Sequence, residues 1–222
     1  MHQLDETALK QWIEESIATG SNILAAGYQG QTLLYEDDNN RYVIKVPHGK
    51  GLARSFHRRM LRHEYEVYKK LGDFDGAPAC YGLIDNQYLV LEFIDGRTIR
   101  TKRPLDEDEF NAELFDYIKK MHAKNVAHMD LKRKDNLLVK TDESPCILDF
   151  GAAVIKKPGF HPFNQYHYQF AKKLDYNAWI KNKYHYRSRY DISMVERKYY
   201  KLTWIDASAR LIKGLYSKLT GK

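Results

Sequence analysis

His128-Met129-Asp130-Leu131-Lys132, with Asn136 shortly after it and Asp149-Phe150-Gly151 further on, decides how this chain is read. Met121-His122 closes a helical run upstream of the stretch, and Val126-Ala127 leads into it. Downstream, Asn136 opens the apolar run Leu137-Leu138-Val139, and Cys146-Ile147-Leu148 forms a second short run that ends at Asp149. The pattern predicts loop, strand, turn, strand, with Asp130 and Asp149 at strand edges facing one cleft. Asp-Phe-Gly alone is an ordinary turn sequence, so its weight comes from this order and context. A strand fixes the backbone of Asp149 while the turn leaves its carboxylate exposed, which suits a group that holds a divalent cation.

The N-terminal half adds compatible parts in a fixed order. Ile23 to Tyr35 reads as strand, glycine-bearing turn, strand, with Gly27 and Gly30 placed where backbone N–H groups can approach anionic oxygens closely. Taken alone, that spacing describes a plain hairpin. It is followed by the turn Asp37-Asp38-Asn39-Asn40 and the strand Tyr42-Val43-Ile44-Lys45-Val46. Lys45 is either an exposed strand residue or a cation that grips phosphates, and the downstream motifs favour the second. From about Ala53 to Leu71, Met60, Leu61, Tyr65, Tyr68 and Leu71 recur at helical spacing. Glu64 shares the packed face of Tyr68 and Leu71, whereas Glu66 points elsewhere. Glu64 is therefore the carboxylate chosen to orient Lys45; the alternative is a solvated glutamate paired with Arg58, Arg59 or Arg62.

Tyr88 to Gly96 reads as a buried strand running into a polar, glycine-ended link between two lobes. There the backbone of Glu92, Phe93 and Ile94 can hydrogen-bond the edge of an adenine, with Leu91 bordering the pocket. Asp106 with Glu109 resembles a helix-capping box ahead of the stripe Phe110, Leu114, Ile118 and Met121. Leu4, Leu9, Trp12, Ile13 and Ile17 predict an amphipathic helix packed on the N-terminal lobe, too acidic at Asp5, Glu6, Glu14 and Glu15 to seek anionic lipid. Ser193 to Glu196 resembles a second capping box, and Leu211, Ile212, Leu215 and Leu219 predict a final helix.

Over roughly residues 20 to 155 these motifs together resemble those of protein-kinase-like phosphotransferases. In its compact layout the chain is similar to the small bacterial kinases of the lipopolysaccharide Kdo/heptose kinase group and to RIO-like kinases. The resemblance implies one α+β domain with a bilobal, kinase-like fold: a β-rich N-lobe with a leading helix over residues 1–95, and a reduced, helical C-lobe over 96–222. It implies ATP and Mg²⁺ as cofactors and a hydroxyl as phosphate acceptor. By the same resemblance Gly27 and Gly30 cover the phosphates, Lys45 grips the α and β phosphates with Glu64 holding it, and Leu91, Glu92, Phe93 and Ile94 surround the base. Asp130 is the catalytic base, Lys132 lies near the transferred phosphoryl, and Asn136 and Asp149 hold magnesium. No Gly-x-x-x-x-Gly-Lys-Ser/Thr sequence occurs, which removes the P-loop NTPases as rivals.

Three departures carry information. Asn136 stands six residues after Asp130 where kinases have five, so either the loop bulges and Asn136 still holds the metal, or Asp135 takes its place. Met129 replaces the arginine that pairs with an activation-loop phosphate in many protein kinases, so activation through that pairing is not expected. No Ala-Pro-Glu follows, and about 70 residues remain after the Asp-Phe-Gly triplet. The lobe that presents peptides must be reduced or rebuilt, which leaves the acceptor as a protein Ser/Thr or a sugar of a lipopolysaccharide core. Two other classes stay open: a pseudokinase that binds nucleotide as a regulator, and a RIO-like ATPase assembly factor that docks on RNA.

Charge is concentrated at one end. Residues 154–222 hold 15 Lys and Arg against 4 Asp and Glu, a surplus of 11 where the whole chain carries +7, so residues 1–153 sum to −4. The same region is rich in aromatics: Phe160, Phe163, Tyr166, Tyr168, Phe170, Tyr176, Trp179, Tyr184, Tyr186 and Tyr190. It reads as a helical subdomain with an aromatic core and a solvated lysine face, as a peripheral contact for anionic membrane or glycolipid, or, with less support, for nucleic acid. Cys80 and Cys146 read as two buried thiols, neither a disulfide framework nor a zinc site. No apolar run approaches the length of a membrane span and no signal-peptide pattern is present, so a cytoplasmic enzyme, peripheral at most to the inner membrane face, is expected.

Overall fold

Side-chain alternation in one strand sets the geometry of the whole N-terminal half. In β3 (Arg41–Pro47), Tyr42, Ile44 and Val46 are buried on one face, so Val43 and Lys45 must point to the other. The computed structural model describes residues 6–27, 30–38, 40–185 and 192–200. There β3 is the centre of a five-stranded antiparallel sheet with β1 (Ile23–Gly27), β2 (Gly30–Glu36), β4 (Cys80–Ile84) and β5 (Tyr88–Glu92), in the order β1-β2-β3-β5-β4.

Helix α1 (Glu6–Thr19) covers one face of that sheet. Its Leu9 and Ile13 join Leu33, Ile44 and Val90 in a closed apolar cluster, and Trp12 packs edge-on against Tyr35 at 5.0 Å. The amphipathic pattern read in the sequence thus packs where expected, while Leu4 lies outside the described residues. Helix α2 (Gly51–Leu71) covers the opposite face. Leu61, Val67, Tyr68 and Leu71 are buried there with Leu89 and Leu91 of β5, each buried aliphatic contributing roughly 1.5–3 kcal/mol before entropy is charged against it.

The chain then crosses into a second, mainly helical half. Strand β6 (Gly96–Thr98) pairs with β8 (Leu137–Lys140), which pairs with β9 (Pro145–Ile147). Gly96 has no room for a side chain, because a Cβ would stand 2.5 Å from the Val139 carbonyl oxygen. Helix α3 (Glu107–Ala123) starts at Asp106, whose carboxylate accepts from the Asp108 and Glu109 N–H groups, and buries Phe110, Leu114, Ile118 and Met121. Against it lies α4 (Pro162–Lys183), fixed by stacking of Trp179 on Phe115 at 4.3 Å and by the Trp179 indole N–H donating to the Asn111 carbonyl at 2.7 Å. The short strands β7 (Val126–Ala127) and β10 (Val154–Ile155) pair with each other beneath the loop that carries Asp130.

The α+β class and the β-rich N-lobe of the sequence reading are therefore found. The aromatics of the basic region divide: Tyr168 and Trp179 are core, while Phe160, Phe163 and Tyr166 are exposed. Ser193 Oγ accepts from the Glu196 N–H, but it opens a short 3-10 turn over Arg197–Tyr199. The final helix expected around Leu211 to Leu219 lies outside the described residues, as do Tyr186 and Tyr190. Cys146 is buried; Cys80, expected to be so, is half-buried because it lies on the outer strand β4 of the sheet.

Candidate active site

Between the two halves lies a cavity of about 800 Å³, the size of a small-molecule site. One end is apolar, lined by Leu24, Val43, Leu91, Leu138 and Leu148; the other is polar, with Lys45, Glu64, Arg133, Asn136 and Asp149.

The polar end is assembled from four separate elements. Lys45 on β3 donates from Nζ to Glu64 Oε1 of α2 at 2.6 Å and to Asp149 Oδ1 at 2.9 Å. Glu64 is buried, and the same Oε1 also accepts the Phe150 N–H at 3.1 Å. Glu66 is exposed and pairs with Lys69 instead. Burial alone would lower the Lys45 pKa, but Glu64 and Asp149 outweigh it and raise it. For Asp149 burial pushes the pKa up, and Lys45 beside it reverses the sign, so the carboxyl stays below its usual range. Its backbone is left-handed (φ +62°), a conformation that Asp tolerates better than most residues.

Phe150 anchors this turn. It is fully buried and packs edge-on against Tyr68 of α2 at 5.2 Å and against the His128 ring at 4.9 Å. His63 of α2 adds a bond from Nε2 to the Ala153 carbonyl at 2.7 Å. The helix, the Asp-Phe-Gly turn and the Asp130 loop are thereby held in one register.

Asp130 is half-buried, and Asn136 ties to it: Nδ2 donates to the Asp130 carbonyl at 3.1 Å and approaches Asp130 Oδ2 at 3.4 Å. Leu148 N–H donates to the Asn136 carbonyl at 2.9 Å, so Asn136 sits beside the strand end that leads to Asp149. The extra residue of the loop is absorbed by a 3-10 turn over Lys134–Asn136. Asp135 is drawn outward into a two-point ion pair with Arg100, at 2.5 and 2.8 Å. Lys132 is exposed and does not line the cavity, whereas its neighbour Arg133 does.

Gly30 lines the cavity, but its lack of a side chain has a second cause: a Cβ would stand 2.3 Å from the Val46 carbonyl oxygen on β3. Gly27 pairs with Gly30 across the β1–β2 turn, whose tip, residues 28 and 29, lies outside the described residues. At the connector, Phe93 N–H is taken by the Arg41 carbonyl and the Glu92 carboxylate by the Ala79 N–H. Arg41 stacks over the Phe93 ring at 3.9 Å and grips both oxygens of Asp95, which stiffens the link. Ile94 lines the cavity.

Sequence reasoning missed one functional group. Asp175 of α4 is fully buried and accepts from the His128 N–H at 2.9 Å, the Met129 N–H at 2.8 Å and His122 Nε2 at 2.9 Å. Met129 has φ +70°, so Asp175 holds the residue before Asp130 in a costly backbone conformation. The sequence signal was faint: an acidic residue among the aromatics of a basic segment.

The donor set suits a hard cation, since Asp149 and Asn136 offer oxygens. Among the described residues no cluster of three or more His, Cys, Asp or Glu is arranged to hold a metal, and magnesium that arrives with phosphates needs only one or two protein ligands.

Similarity searches point the same way. The chain is similar to serine/threonine protein kinases. It is 28% identical to serine/threonine-protein kinase D of Synechocystis over 102 residues, 43% of this chain and 20% of that protein. It is 26% identical to PknA of Nostoc over 147 residues, 58% and 26% of the two chains, and 29% identical to calcium-dependent protein kinase 4 of Plasmodium falciparum over 171 residues, 70% and 30%. The chain thus spans less than a third of the length of these kinases. No family model matches it.

Proposed function

We propose that the protein transfers the γ-phosphoryl group of ATP to a hydroxyl. The observation that carries this reading is the closed set Lys45–Glu64–Asp149, with Asn136 fixed to Asp130, at the polar end of a cavity whose other end is apolar. The apolar walls accept a purine, and the backbone of Glu92 to Ile94 borders its edge. Lys45 meets the α and β phosphates, Gly27 and Gly30 approach them with backbone N–H groups, and Asp149 and Asn136 would hold magnesium. Bound there, the ion would offset charge on the phosphates. Asp130 orients the acceptor hydroxyl and accepts its proton, while Lys132 and Arg133 supply positive charge on the acceptor side.

The short segment between Gly151 and α4, residues 152–161, supports an acceptor that is not a peptide, such as a glycolipid sugar. A protein Ser/Thr is the acceptor that the names of the relatives support. The test is to incubate the protein with γ-labelled ATP, Mg²⁺ and a bacterial lysate separated into protein, glycolipid and small-molecule fractions. Label in the glycolipid or small-molecule fraction is expected; label in protein alone moves the acceptor to Ser/Thr; no transfer and no ATP consumption defeats the reading.

A further inference from the structure

Three large side chains stand in solvent on one stretch of well-braced backbone. Phe160 is 87% exposed, Phe163 91% and Tyr166 71%. Exposed aromatics normally mark a covered surface, because each leaves a large apolar area in water. The backbone beneath them is held rather than loose. Asn164 accepts the Lys157 N–H at 2.7 Å and donates to the Ile155 carbonyl at 3.0 Å, and Gln165 donates to the Gly159 carbonyl at 2.8 Å. Pro162 opens α4, and Phe163, Tyr166, His167 and Phe170 follow at helical spacing along one face of it.

Charge identifies the partner. From Val154 to Leu174 there are four lysines, Lys156, Lys157, Lys172 and Lys173, and no Asp or Glu. Lys157 and Lys173 are exposed. Residues 201–222, the one further stretch of this chain long enough to cover the patch, carry five Lys and Arg against one Asp and so do not complement it. Aromatic rings among lysines, with no acidic residue to repel anions, fit the headgroup region of an anionic bilayer: the rings enter the boundary layer and the lysines stay at the phosphates.

We infer that Phe160, Phe163 and Tyr166, flanked by Lys156, Lys157 and Lys173, form a face that docks the protein on an anionic lipid surface. The face begins nine residues after Gly151, and β10 just before it pairs with β7, which runs into the Asp130 loop. A bilayer bound there lies beside the acceptor side of the cavity. The inference rests on the proposed transfer reaction only for that last step; the binding itself needs no nucleotide.

Flotation of the full chain with vesicles tests it, using phosphatidylcholine alone and phosphatidylcholine with phosphatidylglycerol. Binding is expected to the anionic vesicles only and should weaken steeply with added salt. Phe160→Ser with Phe163→Ser should weaken it at least tenfold, and Lys156→Gln and Lys157→Gln about fivefold each. The thermal midpoint and the transfer of phosphate to a water-soluble acceptor should be unchanged in these variants. Equal binding by parent and variants overturns the proposal. So does a fall of the midpoint in the double serine variant, which would mean that the chain itself covers the rings. Binding to an RNA homopolymer with no binding to vesicles overturns it too. If the parent fails to transfer phosphate yet floats with anionic vesicles, the docking face stands and the reaction assignment falls.

Discussion

Lys45 Nζ lies 2.6 Å from Glu64 Oε1, joining strand β3 to helix α2, and the same carboxylate oxygen receives the Phe150 N–H. One buried acceptor therefore sets the position of the helix, the lysine and the Asp-Phe-Gly turn together. Whatever displaces Glu64 displaces all three.

Lys45→Met should therefore show two losses with different origins. It leaves Glu64 buried with one donor fewer, costing about 3 kcal/mol, the lower end for breaking a buried pair, and a thermal midpoint lower by roughly 6–12 °C. It also removes the cation of the polar end, so transfer should fall by at least ~10². Adding Glu64→Gln should recover much of the midpoint and none of the activity, which calorimetry and a rate assay separate. A double variant that regained activity would show that Lys45 acts only in folding.

The pH dependence of that pair has a definite sign. Asp149 has a lowered pKa, so its stabilising contribution is present above the ordinary carboxyl value and lost as pH falls through the lowered one, below 3.8. Lys45 has a raised pKa, so its contribution is present below 10.5 and lost only as pH rises through the raised one. The cluster should be intact from about pH 5 to pH 10. Denaturation followed across that range should show no step that Lys45→Met removes; such a step would contradict the pairing.

Asn136 and Asp135 are separated by what holds them. The Asn136 amide is fixed on Asp130, while Asp135 is spent on Arg100 at the surface. Asn136→Ala should lower transfer by about 10² and raise the magnesium concentration needed for half-maximal rate. Asp135→Asn should change both by less than about threefold, since an exposed ion pair contributes little. The reverse ranking in a magnesium titration would assign the metal to Asp135.

Asp175→Ala tests the support of the catalytic loop. It strips acceptors from two buried N–H groups and from His122, each worth about 1–3 kcal/mol, and frees Met129 to leave its left-handed conformation. Activity should fall mainly in kcat, with KM for ATP nearly unchanged, because the Lys45 end of the cavity is not touched. Equal loss in both would place Asp175 in general folding rather than in positioning Asp130.

What was legible in the sequence was local. The alternation around Ile44 placed Lys45, and the spacing from Glu64 to Tyr68 and Leu71 placed the carboxylate on the packed face, because both depend only on the period of a strand or a helix. Asp175 was not legible: its partners His128 and Met129 lie more than 45 residues upstream, and no local pattern records a contact of that range. The loop insertion was visible, but its resolution was not, because it depends on Arg100, a residue with no motif. Nor did residue type distinguish the buried Trp179 from the exposed Phe163; packing of α4 on α3 decides that.

The two thiols give a test of burial that needs no activity. Burial pushes the Cys146 thiol up to about 12 and the Cys80 thiol up to about 11, so at pH 8 almost no thiolate forms at either. Alkylation by iodoacetamide in the folded protein should be slower than in the denatured chain by at least ~10² at both, and slower at Cys146 than at Cys80, which is only half-buried. Because the folded values are raised, each thiol stabilises the fold below its unfolded pKa and loses that contribution as pH rises toward the folded value. Mass spectrometry of partly labelled protein resolves the two sites. Rapid labelling of Cys146 with the fold intact would mean that the strand before Asp149 opens to solvent, and the rigid placement of the Asp149 carboxylate would fail with it.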